Sequence, residues 1–358
     1  MKCLPATKLA LATGSALHDW HAEILAIRSF NHFLLEECKA VASGQTSSLI
    51  RIRSSEKRLY DGQSWQAQPF AIRDGVTLHM YCSEAPCGDA SMELTMADQA
   101  DASPWEIPPP PLTVEESSTP VSATTATPSL PGRAYFSSLG IVRRKPSRPD
   151  APPTLSKSCS DKLSLHQCTS LLSSLTSVLV HPSSAYLASM ILPSTSYSPT
   201  GCTRAFSPSG RMSPVAGERW GGGYSFTPFE VLTTELEFRY SKRAVAERTE
   251  KMAASNLAVA WHGRGLEEGL VGGVLQGRRQ FDVRGGSRTS RRRMWGLALE
   301  IASLGGLEDV RRLLEMEKYK DMKNGSGLTD RKEVKDHVRR TALDGWVHNV
   351  GDDEFGLS

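Results

Sequence analysis

The 358-residue chain lacks several features that would have narrowed its reading at once. No apolar run approaches the ~20 residues a membrane-spanning helix needs, so no span is expected. The charge excess is only +3, which excludes a uniformly basic nucleic-acid surface but leaves room for a local basic face. Cysteine is sparse: Cys3, Cys38, Cys82, Cys87, Cys159, Cys168 and Cys202 are odd in number and widely spaced, which is not the pattern of a small disulfide scaffold. No internal repeat is present. The opening MKCLPATKLALATGSAL has the small residues of a signal peptide, but Lys8 interrupts its apolar stretch and a charged, aromatic-rich helix follows. An intracellular protein, cytoplasmic or nuclear, with no obligate protein partner is expected.

What is present reads as α/β. Residues 19–40 predict a helix, with Asp19 as its N-cap and Ile24, Leu25, Phe30, Phe33, Leu34 and Leu35 on a broad apolar face. Val76–Cys82 predicts a strand behind the Asp74-Gly75 turn, and residues 89–98 a short helix. From Gln99 to Pro131 the chain turns rich in Pro, Ser and Thr, with four prolines at Pro108–Pro111, and predicts a disordered insertion in a single domain spanning 1–358. A third helix is expected over Asp161–Val180, loops over Pro193–Gly222, strands at Phe229–Phe238 and Leu257–Trp261, and helices at 290–304, 307–318 and 329–343. The fold class is therefore α/β, a mixed sheet with helices on both faces and a helical C-terminal part.

Three short segments carry chemistry. His21-Ala22-Glu23 opens the first helix, where an imidazole can ligate a metal and a carboxylate two residues on can move protons without binding it. Pro86-Cys87-Gly88 stands at a strand-to-helix junction, and a helix start favours a thiolate. The zinc-deaminase pattern pairs H-x-E with P-C-x-x-C, but its second cysteine position is Ala90 here, so a third ligand comes from elsewhere. Cys159, in Ser158-Cys159-Ser160-Asp161-Lys162, is the natural candidate. Cys82 and Cys168 compete by position, although strand and mid-helix cysteines are more often core residues.

Taken with LHDWHAEILAIRSFNHFLLEEC (Leu17–Cys38), SEAPCGDASMEL (Ser83–Leu94), CSDKLSLHQCTSLLSSLTSVLV (Cys159–Val180), GGYSFTPFEV (Gly222–Val231) and ALDGWVHNVGDDEFGL (Ala342–Leu357), these motifs resemble the adenosine-to-inosine editing deaminases, more closely their tRNA-specific branch of fungal type. The resemblance implies zinc on His21, Cys87 and Cys159, hydrolytic deamination of a flipped-out adenosine with Glu23 shuttling protons, and as substrate the adenosine just 3′ of the anticodon of alanine tRNA. It also implies a buried inositol hexakisphosphate. Matching position by position, Arg28, Lys162, Tyr319, Lys323, Lys335, Trp346 and Arg291 would approach the phosphates, while Asp19 and Lys145 would link them to the zinc site. Lys2 and Asp150 would contact RNA. The basic stretch Arg278–Arg293, with seven arginines, is a candidate tRNA-facing surface.

This chain also departs from the family pattern. It begins at Met1-Lys2-Cys3, inside a segment that the family precedes with a strand and a helix, so a missing strand and a less stable domain are expected. Ile27 replaces one of two arginines, Leu165-His166 an Arg-Trp pair, and Lys157 a methionine. Ser147 and Pro149 stiffen a loop that is otherwise glycine-rich. A catalytically silent RNA-binding or scaffold relative that keeps a structural zinc is the alternative function. A broader pre-mRNA editor would need a duplex-binding module, and a free-nucleoside deaminase the P-C-x-x-C motif.

Overall fold

The computed structural model describes residues 2–54, 64–98, 130–132, 138–145, 151–249 and 255–357. The Pro-rich insertion (apart from Leu130–Pro131) and Asp150 lie outside the described residues. In chain order the elements are α1 (Ala22–Ala42), β1 (Ile50–Ile52), β2 (Phe70–Ile72), β3 (Leu78–Tyr81), α2 (Met92–Ala97), β4 (Leu130–Pro131), β5 (Arg143–Arg144), α3 (Cys159–Thr169), α4 (Ser174–Leu179), β6 (Leu187–Pro193), α5 (Pro199–Phe206), β7 (Glu230–Thr234), α6 (Lys242–Ala246), β8 (Leu257–His262), β9 (Leu266–Val271), β10 (Val274–Leu275), α7 (Arg291–Leu304), α8 (Glu308–Leu314), α9 (Tyr319–Asn324) and α10 (Thr329–Thr341).

The expected α/β class and helical C-terminal part are both present. β6 is the centre of a parallel sheet, flanked by β3 and β7, while β8, β9 and β10 form an antiparallel sheet and β1 pairs antiparallel with β2. Met190 and Leu192 of β6 are buried against Ile27 of α1, Leu163 of α3 and Phe206 of α5. A second core joins Leu34 and Leu35 of α1 to Trp295 and Ile301 of α7 and to Val178 of α4. α1 therefore touches both cores, and its first turn is held rigidly where the site lies.

Three expectations are corrected. Asp19 does not cap α1: His21 occupies the N-cap position without a side-chain cap, and Asp19 sits in a bridge with Cys3, its carboxylate committed elsewhere. The helix expected over 161–180 is two helices, broken at Ser170, whose φ is +56°. The groups freed by the break find partners from outside the segment. Arg331 of α10 donates to the carbonyls of Thr169 and Leu172, while Asn31 of α1 donates to the Leu171 carbonyl (2.8 Å) and accepts from the Ser173 N–H (2.6 Å). The loop expected over 193–222 contains α5, started by Pro199 in its first turn and by Ser198, whose hydroxyl accepts from Gly201 N–H at 3.1 Å.

Candidate active site and metal centre

Parallel α/β sheets place ligands beyond the carboxyl ends of their strands. The segment leaving β3 there carries Cys87, and α3 begins at Cys159. Two devices hold these segments together. Gly88 has φ +104°, and a Cβ on it would stand 2.3 Å from the Ser158 hydroxyl oxygen, so only glycine permits the approach. Ser160 then laces the two: its N–H donates to the Cys87 carbonyl (3.0 Å), its hydroxyl donates to the Pro86 carbonyl (3.0 Å), and Ala90 N–H donates to that hydroxyl (3.1 Å). A capping box between Ser158 and Asp161 starts α3.

The result is a cluster of one nitrogen and two sulfurs. His21 Nδ1 lies 3.8 Å from Cys159 Sγ and 4.0 Å from Cys87 Sγ, and all three donors lie within 4.8 Å of one another. A tetrahedral ion with Zn–S near 2.3 Å and Zn–N near 2.05 Å would set the N···S separation at about 3.6 Å, so the donors can hold a metal ion. Electrostatics agree. The Cys87 thiol is pulled well below its usual range by a hydrogen bond from the Cys159 thiol and, further, by Lys145 and His21. Burial works against a charged His21, yet bonds to Cys3 and Cys87 outweigh it and raise its pKa to about 10, so the cluster favours positive charge at this point. Glu23, in the first turn of α1, has its carboxyl pushed upward by burial and by the Cys87 thiolate. Cys82 and Cys168 are buried outside the cluster, and burial pushes both thiols up.

Asp19 is the junction behind this cluster. Its carboxylate accepts from Lys145 Nζ (2.8 Å), the Ser156 hydroxyl (2.9 Å), Lys162 Nζ and the His21 N–H (3.0 Å). Burial opposes its ionisation, but Lys145 and Lys162 prevail and hold it well below the usual carboxylate range. Lys145 in turn lies 3.2 Å from Cys159 Sγ; Asp19 and the cysteine sulfurs keep it charged despite burial.

On the far side of Lys162 opens a cavity of 490 Å³. Arg28, Lys162, Arg291, Tyr319, Lys323, Lys335 and Trp346 all line it, whereas Asp19 and Lys145 stand behind its wall. Sequence reasoning missed Arg331, Arg339 and His166, which line it too. Arg331, Lys335 and Arg339 recur every four residues along α10, a one-face spacing that could have revealed them. Burial, reinforced by Arg331, Arg339 and Lys323, drives the Lys335 ammonium well below its ordinary pKa. Burial likewise lowers Arg28 and Arg339 to about 10. Among the described residues, the buried Nε groups of Arg28, Arg331 and Arg339 have no hydrogen-bond partner. Crowded cations with orphaned donors fit a polyanion.

The other nominated residues lie apart. Lys2 is half-buried, and its carbonyl accepts from Trp20 N–H. In the basic stretch Arg278, Arg279, Arg284, Arg288 and Arg293 are exposed, Arg288 pairing with Glu36, whereas Arg291 pairs with Asp352 and Arg292 packs over Phe355.

Fold and cluster together define an α/β protein whose three-donor, metal-type centre sits beside a carboxylate and is wired to a cationic cavity. The adenosine-deaminase (editase) domain family matches residues 1–350, and the chain belongs to that family. It is similar to tRNA-specific adenosine deaminase 1 of Schizosaccharomyces pombe, 38% identical over 288 residues, which are 79% of this chain and 66% of that protein. It is also similar to the Saccharomyces cerevisiae protein of the same name, 34% identical over 49% of this chain and 40% of that one. The double-stranded RNA-specific editase B2 of Rattus norvegicus is 32% identical over 26% of this chain and 10% of its own length. The chain thus spans under two thirds of the length of these curated relatives.

Proposed function

We propose that this chain hydrolytically deaminates adenosine to inosine in tRNA, with the adenosine 3′-adjacent to the anticodon of alanine tRNA as its substrate. The carrying observation is the convergence of His21, Cys87 and Cys159 in one cluster with Glu23 two residues from the imidazole. These three residues would hold zinc, which one nitrogen and two thiolates with an open fourth position suit. Bound there, zinc supplies a Lewis acid that makes water nucleophilic near neutral pH. Glu23 takes the proton from the attacking water and delivers it to the departing amine at C6, so that adenine and water become hypoxanthine and ammonia. A carboxyl with a raised pKa suits both halves of that transfer. The names of the yeast relatives support a tRNA substrate. The cationic cavity supports inositol hexakisphosphate as a structural polyanion, with Arg28, Lys162, Arg291, Tyr319, Lys323, Lys335 and Trp346 around it. We place the protein in the cytoplasm or nucleus, where its seven free cysteines stay reduced.

The test is inosine formation on alanine tRNA by the full chain and by Glu23→Ala, with metal measured in both. Inosine from the wild type, a rate about 10²–10⁴-fold lower for the variant and equal metal would support the reading. A folded, metal-loaded wild type that forms no inosine would overturn it in favour of a silent relative.

A further inference from the structure

The wall of the cavity is crossed by the segment that leads into Cys159, and there two cations stand against one indole. Lys157 Nζ lies 5.5 Å from the Trp346 ring centroid and the Arg339 guanidinium carbon 5.1 Å from it. Lys157 is 2% exposed. Its ammonium donates to the Leu155 carbonyl and, at 3.4 Å, to the Asn349 amide oxygen; among the described residues it meets no carboxylate at ion-pair distance. Among the described residues Arg339 has one long ion pair, 3.8 Å to the partly exposed Asp336 of its own helix, and a 3.5 Å contact to His348 Nδ1, and its Nε is one of the orphaned donors. A lysine kept in such a place destabilises the fold unless something negative completes the site.

We propose that Lys157 and Arg339, clasping Trp346, form a phosphate subsite of their own that takes one phosphate group of the bound polyanion and ties it to the segment leading into Cys159. This rests on reading the cavity as a polyanion site. The Trp346 indole lies against both cations, and the Asn349 amide oxygen accepts from the Lys157 ammonium. Lys323 of α9 and Lys335 of α10 line the same cavity, Lys335 one turn before Arg339.

Inositol hexakisphosphate is titrated into the full chain, freed of co-purifying anion by high-salt dialysis, and into Lys157→Met, Arg339→Gln and Lys335→Met. Bound mass is followed by native mass spectrometry, with melting temperature recorded at each step. Lys157→Met and Arg339→Gln are each expected to raise the concentration for half-occupancy by about tenfold, the loss of one charge-assisted contact. Lys157→Met without ligand is expected to melt no lower than the wild type, because an uncompensated buried charge has gone. Unchanged half-occupancy in Lys157→Met, with binding weakened in Lys335→Met, would overturn the subsite and leave the cavity reading standing. A ligand-free melting temperature well below the wild type would make Lys157 a packing residue and overturn it too. A wild type that binds no inositol hexakisphosphate would remove both.

Discussion

Replacing Asp19 by asparagine keeps the shape of the side chain and removes one charge on which two ammoniums depend. The Asp19 carboxylate and the Lys145 ammonium are 4% and 5% exposed and 2.8 Å apart. Two unit charges at that separation attract by about 6 kcal/mol at an effective dielectric constant of about 20. The cost of taking both out of water offsets most of this, so the intact cluster adds little net stability. The variant differs, because it strands Lys145 and Lys162 against each other, and removing one partner of a buried pair costs about 3–5 kcal/mol. The lost carboxylate also stops neutralising Lys145 beside Cys159 Sγ and loosens its hold on the His21 N–H. Metal affinity should then fall by about 10–100-fold, the usual effect of losing a group that orients ligands. Urea unfolding at fixed metal and polyanion concentration, with metal titration, checks both numbers. A variant within 1 kcal/mol of wild type that binds metal equally well would refute the argument that this carboxylate joins the two sites.

Ser170, with φ +56° and ψ 178°, holds a conformation almost confined to glycine; Ser170→Gly should raise stability by about 1 kcal/mol in denaturant unfolding, and a loss would show that its hydroxyl bond to Leu172 N–H outweighs the strain. His18 and His166 are held near pKa 4 chiefly by burial. Both are neutral in the fold at pH 7 and protonate near 6.5 once unfolded, so unfolding takes up protons below pH 6.5 and stability falls as pH drops toward 4. The ligand-free protein should lose up to about 1.4 kcal/mol per pH unit for each histidine, read from urea midpoints between pH 7 and 5; a flat profile would contradict the burial argument.

Much of this was legible in the sequence because the chemistry is local. His21, Cys87 and Cys159 each stand beside a helix start, and such positions are visible as short motifs. The cationic face of α10 was equally readable as a four-residue spacing, although only Lys335 was picked out. What could not be read depends on partners distant in sequence. Nothing between 161 and 180 announces a break at Ser170, because the groups that make it tolerable, Asn31 and Arg331, come from other helices. Asp19 looked like an N-cap because its residue type suits one; its real partners lie 126 and 143 positions away. α5 was hidden among serines and prolines, although Ser198-Pro199 is a start signal.

Helix α1 acts as a ruler. His21 and Glu23 stand at its first turn and Arg28 reaches the cavity five residues beyond Glu23, about 7.5 Å along the axis. Inserting or deleting a single residue between them would turn one group through about 100° relative to the other. Descendants of this sequence can therefore exchange side chains along that stretch, as Ile27 illustrates, but its length is frozen.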